Sequence, residues 1–147
     1  MSRLVEDFAR RLQHLDRRAA WSELSLVLVG HAGMRKINGS IMGRNAVTDV
    51  ISLRYDPIPG AEGANGDVIV NVALAVAEAS GTTATGLRKP ERWDAACELA
   101  LYIAHGCDHL AGAKDEHPAD RRRMRRRELR WVRQAQARGL LAGLIED

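Results

Sequence analysis

The stretch HGCDHLAGAKDEH, residues 105 to 117, holds three of the five histidines of the chain and three of its carboxylates. His105 and His109 are four residues apart, so on a helix both side chains lie on one face. Two imidazoles so placed can fill two corners of a metal's coordination sphere, as in zinc sites on helices. Asp115 or His117 can return beyond the helix as third ligand. Three protein ligands leave one position for water, the arrangement of a catalytic zinc.

A histidine pair at this spacing is by itself a weak signal, because an imidazole can also cap a carbonyl or hold a core hydrogen bond. The position of the pair strengthens the metal interpretation, since it ends an apolar helix just before a glycine and several carboxylates. Asp108 is costly to bury unless it is paired or lies in a cleft. Gly106 stands where the metalloprotease motif H-E-x-x-H has its general base, which disfavours peptidase chemistry.

The length and composition of the chain predict one globular domain over residues 1–147. Apolar residues make up 46% of the chain, and no apolar run reaches the ~18 residues of a membrane span. The first residues lack the apolar block of a signal peptide. Cys97 and Cys107 are expected on one helix about 15 Å apart, too far to form a disulfide. We therefore expect reduced cysteines and a cytoplasmic protein.

The net charge is +3, and the positive charge is concentrated at residues 121–130, RRRMRRRELR, which hold seven arginines and one glutamate. Such a patch suits a polyanionic partner such as nucleic acid, although a solvated helix face is the alternative. The chain has one Phe and two Tyr, too few for an aromatic platform on which bases stack. Recognition of a nucleic acid would then depend on backbone charge.

Hydrophobic periodicity predicts an alternation of helices with a few strands. Glycine 39 is expected to end or weaken the second helix, and the apolar strand at 23–30 is expected to be buried. The order α, β, α, β, β, α, α, α predicts a small sheet covered by helices. The predicted helices are 3–13, 32–42, 73–80, Pro90 to Gly112 and Pro118 to about Gly139, and the predicted strands are 23–30, 48–55 and 67–72.

Three blocks of the chain together resemble the YbeY family of bacterial rRNA-maturation endoribonucleases. TDVISL at 48–53 is similar to the family's Thr-Asp-Val-Leu-Ser-Phe strand, and Asn38 falls ten residues before it, as in the family. GDVIVN at 66–71 is similar to its Gly-Asp-Ile-hydrophobic-Ile-Ser strand. HGCDHLAG at 105–112 is similar to its His-Gly-x-Leu-His-Leu-x-Gly signature. The resemblance extends from about Leu24 to Val132, and the blocks occur in the family's order and at its separations.

The resemblance implies a single α/β (α+β) domain with a mixed four-stranded sheet and about five helices. It implies a single-strand-specific, metal-dependent endoribonuclease with one Zn²⁺ per chain, acting in 16S rRNA 3′-end maturation and ribosome quality control. The expected partners are rRNA and the ribosome. The metal would activate water, or polarise the phosphate while the ribose 2′-hydroxyl attacks. A metal-binding ribosome assembly factor without nuclease activity and a metallohydrolase of another substrate class are the alternatives.

The resemblance also implies a ligand set. His105 and His109 match the family's first two ligands, and its third, a histidine six residues after the second, aligns with Asp115 here. Met124 follows His109 by fifteen residues, as in the family, so no insertion shifts the register towards His117. A carboxylate is a competent zinc ligand, and two histidines with one carboxylate also suit iron or manganese.

Two positions depart from the family's pattern. Asp108 replaces a leucine, and Met42 stands where many members have an arginine thought to hold the RNA phosphate. Arg44, two residues further on, is predicted to bind that phosphate from the same loop, and the alternative is a solvated loop residue.

Overall fold

The computed structural model describes residues 1–16, 20–43, 47–55, 57, 59–60, 63–79 and 93–145. These residues form a small sheet and five α-helices, close to the elements that the periodicity predicts. No helix in this part of the chain has the length and apolar character needed to cross a bilayer. The elements are α1 (Ser2–Leu15), β1 (Trp21–Val29), α2 (His31–Ile37), β2 (Val50–Tyr55), β3 (Ala64–Asn71), α3 (Val72–Ala79), α4 (Ala95–Leu110) and α5 (Pro118–Ala137).

The sheet has the order β1-β3-β2, with β1 parallel and β2 antiparallel to the central β3. The predicted mixed α+β fold is confirmed, but the predicted fourth strand is wrong, because the described residues contain three strands. The periodicity of the sequence indicates only three strands, and the fourth came from the family resemblance alone.

The prediction that strand 23–30 is buried is wrong. β1 lies at an edge of the sheet, where Val27 and Leu28 are 40% and 46% exposed. The buried central strand is β3, in which Val68 and Val70 are almost fully enclosed. An apolar run suits an edge strand as well as a central one, and which of them it forms depends on partners far away in sequence.

Helix α4 runs through the main core and carries the histidine pair at its end. It begins at Ala95, whereas the sequence predicts a start at Pro90. Asp94 caps the helix, because its carboxylate accepts a hydrogen bond from the Cys97 amide at 2.9 Å. Trp93 therefore precedes the helix, and its indole N–H donates to Glu98 at 2.6 Å. Cys97 and Cys107 are both buried on this helix.

The close approach of α4 to the sheet depends on Gly106. A Cβ atom at this position would lie 2.6 Å from Cγ1 of Val68 and 3.1 Å from Cγ2 of Val50. The Gly106 carbonyl accepts a hydrogen bond from the Ser52 hydroxyl at 3.0 Å. There is no room for a side chain here, so a glutamate general base of the metalloprotease type cannot occupy this position.

Helix α2 does not end at Gly39, which is predicted to end or weaken it. It widens into a π-helical turn, Asn38–Met42, which contains Gly39. The turn ends at Gly43, whose φ of +67° lies in the left-handed region that favours glycine. Gly39 thus weakens the regular helix but does not end it, and the turn brings Met42 to the rim of the site described next.

Candidate metal centre

The two histidines of the sequence motif face one another at the end of α4. Their rings are nearly perpendicular, at 81°, with centroids 4.4 Å apart. Nε2 of His105 lies 3.0 Å from Nε2 of His109. Helical spacing of four residues places both rings on one face, as the sequence predicts.

The hydrogen-bond partners of the two Nδ1 atoms fix which tautomer each histidine adopts. Nδ1 of His105 lies 3.1 Å from both carboxylate oxygens of Glu128, and Nδ1 of His109 lies 3.1 Å from the carbonyl oxygen of Ala113. Both partners are acceptors, so Nδ1 of each ring donates. In the neutral rings, both Nε2 atoms then present lone pairs to one another at 3.0 Å, and a cation between them removes the repulsion.

The charge around His105 also favours a cation. Burial lowers the pKa of His105, but the hydrogen bond and negative charge of Glu128, with a smaller effect of Asp49, outweigh it and raise the pKa overall. A site that stabilises a proton on imidazole by nearby carboxylates stabilises a bound metal ion for the same electrostatic reason.

Asp115 completes a three-residue cluster with the histidines. Its Oδ2 lies 3.8 Å from Nε2 of His109, and its side chain is 47% exposed. The candidate ligand atoms of the three residues all lie within 4.8 Å of one another. Arg121 donates to the Asp115 carbonyl at 3.1 Å, which ties the loop to α5. Within the described residues, His117 is not part of this cluster, and it is the exposed residue that precedes α5.

Two of the three separations are close to those of a small transition-metal site. Ligand atoms about 2 Å from a tetrahedral zinc lie roughly 3.3 Å from one another. The distances of 3.0 Å and 3.8 Å in the cluster lie on either side of that value. Two nitrogens and one carboxylate leave a fourth position for water or substrate.

Two hollows meet at the cluster. The first, of about 590 Å³, lies on the sheet side and is lined by Met42, Thr48, Asp49 and Ser52 together with the three candidate ligands. The second, of about 640 Å³, lies against α5 and reaches His105 and Asp115. Arginines dominate its other lining residues, which include Arg121, Arg122, Arg125 and Arg126. The cluster is thus accessible from a surface with strong positive charge.

Comparison with known proteins agrees with this geometry. The family model described as Endoribonuclease YbeY matches residues 1–136. The chain belongs to the YbeY family. The resemblance predicted from the three sequence blocks is therefore confirmed.

Several curated relatives carry the same name, Endoribonuclease YbeY. The protein from Anaeromyxobacter sp. (strain Fw109-5) is 35% identical over 126 residues, which are 86% of this chain and 59% of that protein. The protein from Anaeromyxobacter dehalogenans (strain 2CP-C) is 32% identical with the same coverage. The protein from Salinibacter ruber is 34% identical over 117 residues, 76% of this chain and 69% of that protein. The chain thus spans 59% of the length of the two Anaeromyxobacter relatives.

Asp108, where the YbeY signature has leucine, is fully buried and pairs with α5. Oδ1 accepts hydrogen bonds from Nε and Nη2 of Arg127, at 3.0 Å and 2.5 Å. No donor within the described part of the chain reaches Oδ2. Burial and the nearby Glu128 carboxyl raise the pKa of Asp108 to about 7, although Arg127 lowers it. The carboxyl groups of Asp108 and Glu128 can form a hydrogen bond with each other only when one of them is protonated.

The sequence interpretation missed Glu128, which orients His105. Its spacing indicates burial but not its contact with His105: it is the one acidic residue within the arginine run, four residues after Met124 and therefore on the same face of α5. Arg44, predicted to bind phosphate, lies outside the described residues. The neighbouring Met42 is 49% exposed and lines the sheet-side hollow.

Proposed function

We propose that the chain is a metal-dependent endoribonuclease of single-stranded RNA. The observation that carries the proposal is the convergence of two imidazole Nε2 atoms and one carboxylate beside an arginine-lined hollow. Its membership of the YbeY family and the names of its relatives support this chemistry. The proposed role is 16S rRNA 3′-end maturation and ribosome quality control, with rRNA and the ribosome as partners, in the cytoplasm of the cell.

His105, His109 and Asp115 are the proposed ligands, with one Zn²⁺ per chain as the expected ion. The ion would supply Lewis-acid activation of water or phosphate. Glu128 and the Ala113 carbonyl hold the two imidazoles with Nε2 towards the ion. Iron or manganese would suit the same ligands.

The positive side chains at the site are proposed to hold the phosphodiester. Arg121 and Arg125 line the α5-side hollow next to His105 and Asp115, where a guanidinium can neutralise phosphate charge. Arg44, two residues beyond the position where many family members have an arginine, is proposed to bind the phosphate from the same loop. The sugar-phosphate backbone rather than the base would be recognised.

Metal analysis of ligand variants tests the proposed site. We expect the purified chain to carry about one equivalent of transition metal, and H109A and D115A to lose it. H117A is the matched control, because His117 is a second candidate two residues from Asp115, and it should keep its metal. Loss of metal from H117A with retention by D115A would contradict the proposed third ligand.

Cleavage of a single-stranded RNA tests the proposed activity. The wild-type chain and H117A should cut it when loaded with metal, and H109A should not. A metal-loaded chain that binds ribosomes but never cuts RNA would instead support the assembly-factor alternative. Cleavage of peptides by the loaded chain would support the alternative of a metallohydrolase acting on another substrate class.

A further inference from the structure

A stripe of four exposed arginines runs along the outer face of α5. Arg122, Arg126 and Arg130 are spaced by four residues and Arg133 follows by three, so all four side chains lie on one face. At about 1.5 Å rise per residue the stripe is roughly 17 Å long. We call these four residues the arginine track.

The track carries positive charge that no carboxylate neutralises within the described residues. Two other arginines of α5 are paired with carboxylates, Arg123 with Asp120 and Arg127 with Asp108. Like charges at this spacing repel one another and weaken a helix. A bound polyanion would remove that repulsion and gain the attraction of all four guanidinium groups.

The track is continuous with the candidate metal centre. Arg122 and Arg126 line the α5-side hollow that reaches His105. Arg126 also lines a second groove of about 640 Å³, which continues along the helix past Arg130 and Arg133. A nucleic-acid strand whose scissile phosphate lies at the metal centre can therefore extend directly over the track.

We propose that the arginine track binds the sugar-phosphate backbone of single-stranded RNA that continues beyond the metal centre. The choice of RNA rests on the proposed function. None of the residues that line the groove past Arg130 and Arg133 is aromatic, so this groove offers charge without a platform for stacking bases. Binding there would depend on phosphates and not on sequence.

The opposite face of α5 argues against an anionic membrane as the partner. A helix that binds a membrane surface inserts apolar side chains next to its basic face. The apolar side of α5 is instead buried in the protein, with Trp131 at 5% exposure and Val132 fully enclosed. No large apolar side chain of the helix remains to enter a lipid layer.

Salt-dependent RNA binding tests the track. The chain of residues 1–147 is titrated in EDTA with a labelled single-stranded RNA of about 12 nucleotides, at several salt concentrations. R130Q/R133Q removes two charges far from the metal centre, and glutamine preserves the helix. R3Q/R10Q removes two charges from the exposed face of α1 as the matched control.

We expect the slope of log K against log salt to be shallower by about 1.4 for R130Q/R133Q than for wild type, at about 0.7 per phosphate contact. R3Q/R10Q should keep the wild-type slope. Equal changes in both variants, or none in R130Q/R133Q, would overturn the proposal.

Vesicles with a high fraction of phosphatidylglycerol provide the second arm. Loss of vesicle binding in R130Q/R133Q with an unchanged RNA slope would assign the track to lipid and overturn the proposal. Because binding in EDTA requires no cleavage, a chain that proves not to be a nuclease leaves this test intact. If the chain cleaves RNA but R130Q/R133Q has the wild-type salt slope, the proposal for the arginine track fails while the proposed nuclease function stands.

Discussion

Nε2 of His105 and Nε2 of His109 lie 3.0 Å apart, while Nδ1 of each ring faces a fixed acceptor. The acceptors therefore determine where the lone pairs point, and they point at one another. Glu128 supplies the acceptor for His105 from a different helix, so the packing of α4 against α5 is what orients the first imidazole.

Replacing Glu128 should weaken metal binding without removing a ligand. E128A leaves His105 free to rotate and to change tautomer, and we expect zinc affinity to fall about 10- to 100-fold. E128Q keeps an acceptor oxygen and should lose less. Competition with a chelator of known affinity measures the change, and E116Q, an exposed neighbour of Asp115, is the control. Zinc affinity of E128A equal to wild type would show that Glu128 does not orient His105.

The histidine pair could be predicted from sequence because spacing of four residues on a helix fixes which side chains share a face. The register against Met124 favours Asp115 as the third ligand, and the structure brings it next to His109. Its role as a ligand stays a prediction. The two anchoring contacts of α5, Glu128 to His105 and Arg127 to Asp108, could not be predicted in this way. They join residues 23 and 19 positions apart on different helices, so they depend on how the helices pack.

The same limit explains the errors in the fold. Periodicity identified β1, β2 and β3 close to their bounds, since alternation and apolar runs are local properties. Whether β1 is central or at an edge depends on which strands pair with it. The predicted start of α4 is too early: Pro90 suits a first helical position, but the Asp94 cap sets the actual start at Ala95.

Gly106 should not tolerate a side chain. Alanine normally favours a helix over glycine by about 1 kcal/mol. Here the added Cβ would lie 2.6 Å from Cγ1 of Val68, so we expect G106A to destabilise the chain by about 1–3 kcal/mol. Urea denaturation measures the loss. In a V68A background the methyl group is gone, and the same substitution should cost less. An equal cost in both backgrounds would mean that the clash with Val68 is not the cause.

The buried pair of Asp108 and Arg127 should be easier to replace than to break. R127M leaves a buried carboxyl without its partner, and we expect a loss of about 2 kcal/mol or more. D108L supplies the leucine of the YbeY signature. It removes the buried charge, while the 27% exposed Arg127 side chain can turn to water. We therefore expect D108L to match or exceed wild-type stability in urea. A larger loss for D108L than for R127M would contradict this assignment.

Asp7 should make stability depend on pH in the acid range. It joins α1 to the residue after α5, because its carboxylate accepts from Arg11 at 2.8 Å and from Arg138 at 2.6 Å. Burial raises the pKa of Asp7, but the two arginines outweigh it and hold the pKa below the ordinary value of 3.8. Because the folded chain releases this proton more readily than the unfolded chain, the ionised carboxylate stabilises the fold.

That contribution is fully present above about pH 4 and is lost as pH falls through the lowered pKa of the folded chain. D7N removes it, and we expect about 1–2 kcal/mol less stability than wild type at neutral pH, since Arg138 is half-exposed. The difference between wild type and D7N should shrink as the pH is lowered below 4. Urea denaturation across this range measures it, with E6Q as the control for losing one negative charge from α1. Stability curves of wild type and D7N that stay parallel to the lowest pH would show that the carboxylate of Asp7 does not anchor the two helices.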